Sequence, residues 1–195
     1  MPPFLHISSR LSRPTKIAAA IITVALAIPA LAAICKLDTS KSTVGIVFKQ
    51  MNVPVDARFT KFGANIDYDS AKPEASKATV EIDVTSFDLG DPEYNKEVLK
   101  KEWFNAAQFP KANFVSTSMK AGANGKLDVT GNLSIKGKTI VTSFPLSIKK
   151  EGSNQVFDGV LPIKRLAFSI GEGEWKDTSM VADEVVIKFH VVTSQ

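Results

Sequence analysis

From residue 43 onward, hydrophobic and polar positions alternate along most of the chain. In STVGIVFKQM, Val44, Ile46 and Phe48 fall two residues apart, which places them on one face of an extended strand. ARFTKFGANIDYD continues the pattern, with Phe62, Ala64, Ile66 and Tyr68 on one parity. KATVEIDVTSFDL sets Ala78, Val80, Ile82 and Val84 against Thr79, Glu81, Asp83 and Thr85. Further strands are predicted over 113–120, 126–135, 139–149, 155–168 and 183–193. Turn signals separate them at Ala123-Asn124-Gly125, Lys136-Gly137-Lys138 and Gly152-Ser153-Asn154. About eight strands with hairpin-length links predict a mainly β fold, an antiparallel barrel or sandwich.

One segment departs from this period. DPEYNKEVLKKEWFN opens with Asp91 as an N-cap, Pro92 at the first helical position and Glu93 in the first turn. Tyr94, Val98, Leu99 and Trp103 then recur at helical spacing, which predicts one amphipathic helix of about four turns over 91–105. Its end runs into WFNAAQFPKANF, where Trp103, Phe104, Phe109 and Phe114 crowd four of the chain's sixteen aromatic residues into twelve positions. Rings gathered at a helix-to-strand junction either complete a solid core or wall an apolar space, and periodicity does not choose between the two.

Charge changes the picture only at the N-terminus. The formal net charge is +4, from 24 basic and 20 acidic residues. Arg10, Arg13 and Lys16 lie in the first 33 residues, which hold no Asp or Glu, so the remainder carries 21 basic against 20 acidic residues, a net of +1. Such a balance does not call for nucleic acid. The same three cations precede the apolar run IAAAIITVALAI, and Pro29 and Ala30-Leu31-Ala32, with its small residues two apart, follow it. That order predicts a cleaved export signal over 1–33, a mature domain over 34–195 and a periplasmic location. The rival reading, an uncleaved anchor, needs about 20 unbroken apolar residues, and Pro29 interrupts the run. Cys35 is the single cysteine, so no internal disulfide is available. With Ile34 directly before it, Cys35 lacks the small neighbour of a lipidation site.

Candidate chemistry is sparse. His190 is the one histidine beyond the N-terminal segment, which leaves no Ser–His–Asp or Cys–His arrangement and no transition-metal spacing. Asp91, Glu93 and Glu97 lack the spacing of a calcium loop and read as a capped helix start. GEGEW is not a dinucleotide fingerprint; it reads as a loop whose Trp175 could pack over an opening. No catalytic or metal-binding residue and no cofactor is therefore predicted. Arg165, a cation inside the apolar stretch LPIKRLAFSI, is either a partner for a polar head group or one half of an ion pair with a strand carboxylate. Asn95 is a weaker polar candidate on the helix.

From about Lys36 to Val192 the sequence resembles the YceI-like polyisoprenoid-binding family. The resemblance rests on DTSKSTVGI, ARFTKFGANIDYD, ATVEIDVTSFDLGD, WFNAAQFPKANFVS, GNLSIKGKT and IKRLAFSIG, in that order and spacing. Ala57 and Ser169 stand where the family often has Gly, and Lys41 and Gln50 where many members carry His. The resemblance implies an eight-stranded antiparallel, lipocalin-like barrel with one amphipathic helix covering it. It also implies a tunnel holding a polyisoprenoid or isoprenoid quinone, with no chemistry of its own. The expected tunnel wall is Val44, Ile46, Phe48, Val80, Ile82, Val84, Leu99, Trp103, Phe104, Phe109, Phe114 and Trp175, with Asn95 and Arg165 as the polar candidates. Expected partners are the amphiphilic lipid and a transient contact with an inner-membrane surface or a membrane cytochrome, the protein being a monomer or homodimer. The alternative is an isomerase- or cyclase-type enzyme acting on an isoprenoid in the same cavity.

Overall fold

The structure, a computed structural model, describes residues 36–194. The expected export segment over 1–33, with Cys35, lies outside the described residues. In chain order the elements are β1 (Lys36–Leu37), β2 (Thr43–Gln50), β3 (Val53–Phe59), β4 (Phe62–Asp67), β5 (Lys77–Asp83), β6 (Phe87–Asp88), α1 (Pro92–Glu97), β7 (Lys111–Ala121), β8 (Leu127–Ile135), β9 (Lys138–Glu151), β10 (Asn154–Lys164) and β11 (Val181–Ser194). All strands join one antiparallel sheet in the order β4-β5-β7-β8-β9-β10-β11-β2-β3-β6, with β1 paired to β11.

The fold is thus mainly β, as expected, but the count of eight strands is corrected to eleven among the described residues. ARFTKFGANIDYD, read as one strand, breaks at Thr60 and Lys61 into the end of β3 and the whole of β4. β4 forms one end of the sheet order and β3 lies next to the other end, beside the two-residue β6, although only two residues separate them. Three Cα steps span at most roughly 11 Å, so the sheet must curl until its edges come together at this corner. Polar bonds fix the bend. Thr60 N–H donates to Ser86 O at 3.1 Å, Lys61 N–H to Ser86 Oγ at 2.9 Å, and Asp83 N–H to Lys61 O at 3.0 Å. The remaining additions, β1 and β6, are two-residue strands too short for periodicity to reveal.

The helix is also corrected. α1 spans six residues rather than fifteen, and none of its side chains is fully buried. Its start follows the expectation: Asp91 Oδ1 accepts from Glu93 N–H at 2.8 Å and Tyr94 N–H at 3.4 Å, with Pro92 in the first turn. Beyond Val98 the backbone tightens into turns, with Lys100 N–H donating to Glu97 O and Trp103 N–H to Lys100 O. A helix this short has little stability of its own, so tertiary packing decides its end. Trp103 turns to Trp175, ring centroids 5.3 Å apart, while its neighbour Phe104 turns to Phe59 and Phe87 at 6.1 and 6.0 Å. Two consecutive rings reach two separate clusters more readily from a turn than from a continuing helix. The strand expected over 155–168 likewise ends at Lys164, where a 3-10 turn over Arg165–Phe168 takes over.

The inner face of the curled sheet carries the core. β8 alternates without fault, burying Leu127, Val129, Gly131, Leu133 and Ile135. One end of the sheet is covered by α1, the turns after it and the connection from Arg165 to Met180.

Candidate functional site

The inner face does not close on itself. It surrounds a cavity of about 250 Å³ lined from β2, β3, β4, β5, β7, β8, β9, β10 and β11, and from the covering segment. The polar side chains on this lining are Gln50, Asn113, Glu97, Arg165 and the tyrosines Tyr68 and Tyr94; the rest are aliphatic, aromatic or methionine. Tyr94, at 53% exposure, is the lining residue that reaches furthest into solvent.

Aromatic rings form much of the wall, and glycines make room for them. Phe114 (β7), Phe144 (β9) and Phe189 (β11) run across the inner face with centroids 5.5 and 5.4 Å apart. A Cβ at Gly159 would meet the Phe189 ring at 2.0 Å, and one at Gly131 would meet the Phe114 ring at 2.4 Å. Both rings therefore occupy the space that a side chain at these positions would take. That is the physical content of Gly131 in GNLSIKGKT.

Of the residues expected at the wall, Val44, Ile46, Phe48, Val80, Ile82, Trp103, Phe104, Phe114 and Trp175 line the cavity. Val84 does not. Alternation holds only while the strand lasts, and a 3-10 turn over Val84–Ser86 tucks Val84 into the core at 2% exposure. Leu99 packs against the same core from the turns beyond α1, off the lining. Phe109 also lies off it. Its ring sits over Gly137, whose φ of 74° belongs to the β8–β9 turn and where a Cβ would lie 2.8 Å from Cε1. Asn95 serves the fold: its Oδ1 accepts from Leu89 N–H at 2.8 Å and its Nδ2 donates to Asp88 Oδ1 at 3.3 Å.

Arg165 lines the cavity, yet its guanidinium is spoken for. Nε donates to Ala182 O, Nη1 to Ile170 O and Gly171 O, and Nη2 to Trp175 O and Val181 O, at 2.6–3.2 Å. Those five bonds use all five N–H groups of the side chain. Neither sequence reading, head-group partner or ion pair, describes this arrangement. Arg165 is 2% exposed and packs over the Trp103 ring at 5.7 Å, knitting the connection from Ile170 to Ala182 over the end of the sheet. Burial pushes its pKa down and the Asp183 carboxylate opposes the shift. Lys136, its side chain 7% exposed, adds a second clasp by donating to Lys101 O at 2.8 Å, Ser169 O at 2.6 Å and Glu172 Oε2 at 3.1 Å.

Sequence reasoning left out a further part of the wall. Phe157, Leu161 and Ile163 of β10 and Val185, Ile187 and Phe189 of β11 all face the cavity. Their two-residue spacing in the sequence was the signal that could have found them.

A YceI-like domain model matches residues 36–193. A UPF0312 protein of Shewanella sp. (strain W3-18-1) is 36% identical over 135 residues, covering 67% of this chain and 69% of its own. BcnA of Burkholderia cenocepacia, a crystal structure, superposes with a TM-score of 0.79 at 52% identity, over 80% of this chain and 99% of that one. A polyisoprenoid binding domain from Saccharophagus degradans, implicated in plant cell wall breakdown, shares the fold with a TM-score of 0.65 at 18% identity, over 82% and 97% of the two chains. With a matched span running from β1 to the last residues of β11, the chain belongs to the YceI-like domain family.

Proposed function

We propose that the protein is a non-catalytic carrier that holds one long isoprenoid lipid, a polyisoprenoid or isoprenoid quinone, in the interior of a lipocalin-like barrel. The observation that carries this reading is the cavity itself. An unfilled apolar space of about 250 Å³ forfeits on the order of 6 kcal/mol of packing at about 24 cal/mol per Å³. That is comparable to the whole stability of a typical domain, about 5–15 kcal/mol. A fold retains such a space when something apolar fills it, and water does not, because the walls offer it few partners.

A flexible prenyl chain suits a slender, ring-walled interior. Each buried CH₂ contributes about 0.8 kcal/mol, so the tail can supply the affinity without a strong polar contact. The occupation of all five Arg165 donors supports recognition by the tail rather than by an ion-paired head group. The Saccharophagus degradans domain provides a precedent for polyisoprenoid binding on this fold. Export to the periplasm through residues 1–33 belongs to the same proposal. So do a carrier's passing contact with the inner membrane or a membrane cytochrome, and a monomeric or homodimeric state.

The test is mass spectrometry of the organic extract from protein purified out of its native host, together with uptake of a long-chain prenyl alcohol by delipidated protein. A prenyl lipid in the extract and stoichiometric uptake are expected. An extract free of isoprenoids, with no uptake, would overturn the reading. Conversion of the bound lipid during incubation would replace the carrier with an isoprenoid-transforming enzyme.

A further inference from the structure

The end of the molecule covered by the connection from Arg165 to Met180 carries an apolar tip. Met51 and Val53 are each 61% exposed and Met180 is 41% exposed. Met51 N–H donates to Met180 O at 2.9 Å, so the β2–β3 turn and the start of β11 form one patch. The patch is continuous with the cavity: Gln50, which precedes Met51, and Val181, which follows Met180, both belong to its lining.

The turn itself is unusual. Met51 and Asn52 have φ of 49° and 64°, the two positive values of a type I′ hairpin, where Asn-Gly is the favoured pair. An unbranched apolar residue at the first of these positions is disfavoured in backbone energy and gains no burial within the protein. Folding alone does not account for a methionine there.

We propose that this tip, Met51 with Val53 and Met180, enters the surface of a lipid bilayer and brings the part of the cavity wall at Gln50 and Val181 close to it. The inference rests on the carrier reading, because a prenyl chain has no comfortable path through water and must pass from membrane to cavity at a point of contact. Two backbone pairings already tie the tip together. Met51 N–H is already bonded to Met180 O, and Gln50 and Val53 form the closing pair of the hairpin. Apolar side chains rather than charge carry the contact, so the association resists salt, unlike one steered by lysines.

The test compares wild type with M51N/V53T. Asn is favoured at the turn and Thr in the strand, so the variant keeps its fold while losing apolar surface. Co-flotation with empty phosphatidylcholine vesicles is the first readout, and it needs no cargo. Wild type should float at both low and high salt, and the variant should show about tenfold weaker association. Transfer of a fluorescent prenyl lipid from vesicles to protein is the second readout, with uptake of the same lipid from detergent as its control. Slower transfer with unchanged uptake from detergent is expected. Equal flotation of variant and wild type overturns the inference, as does flotation that high salt abolishes or a tip that pairs two copies of the chain in sedimentation. Failure of uptake from detergent by wild type overturns the carrier reading instead, and leaves the flotation result to decide the tip.

Discussion

At the scale of single residues, the cavity depends on pairs in which one partner is defined by what it lacks. Gly159 admits the Phe189 ring and Gly131 admits Phe114. In a Gly159→Ala variant the Phe189 ring must give way into the cavity. The expected result is a loss of about 1–3 kcal/mol in urea unfolding, together with weaker lipid uptake. Trp103 and Phe109 make a contrasting pair. Trp103→Ala enlarges an existing space and should lower lipid affinity, whereas Phe109→Ala, off the lining, should lose up to about 3 kcal/mol of stability with affinity unchanged. Titrating both delipidated variants with a prenyl alcohol checks this. Removing the clasp with Arg165→Met takes from five carbonyls the donors that Arg165 supplies, for an expected loss of about 3–5 kcal/mol in the same unfolding assay. Parity in the sequence identified Val44, Ile46 and Phe48 correctly as inward residues. It could not foresee the role of Arg165, because its partners are backbone carbonyls up to 17 residues away and carry no side-chain signature.

At the scale of elements, short polar turns hold the strands where periodicity says nothing. Asp83 accepts from Thr85 N–H and Oγ1–H at the corner, and Asp88 accepts from Gly90 N–H, Asn95 and Arg58 where β6 meets the start of α1. The Thr85 hydroxyl chiefly lowers the Asp83 pKa, and the Gly90 N–H chiefly lowers that of Asp88, both below the ordinary 3.8. A depressed carboxylate stabilises the fold fully above its unfolded value and loses that contribution as pH falls through the folded one. The melting temperature should therefore hold steady down to about pH 4 and drop below it. Asp83→Asn and Asp88→Asn should each lower stability at neutral pH and flatten the acid limb; thermal melts across pH 2–7 decide. The helix shows why element length was harder to read than element type. Its capping signal at Asp91 and Pro92 was local and held, while its end depended on where the Trp103 and Phe104 rings had to go.

At the scale of the whole molecule, the sheet is closed by a continuous run of chain at one corner and by paired strands elsewhere. The mainly antiparallel β architecture was legible because strand periodicity is repeated many times along the chain. The joining of opposite edges was not, since nothing in the alternation of ARFTKFGANIDYD marks a passage from one edge to the other. A filled interior should behave as part of the fold. Delipidated protein given a prenyl alcohol at 100 times its dissociation constant should gain about 2.7 kcal/mol, measured as a rise in melting temperature. The position of β11 sets the timing of this assembly. Its residues Val185–Phe189 pair with Phe48–Val44 of β2, and its other edge pairs with β10. The strand made last thus joins the beginning of the domain to its end. Until it arrives, the two parts of the wall remain separate, their ring-lined faces open to whatever lies nearby. Loop closure over such a long stretch is slow, so a folding chain passes through an interval in which it is a sticky, open sheet. That interval offers an apolar molecule nearby a moment to settle on the wall before the interior is enclosed.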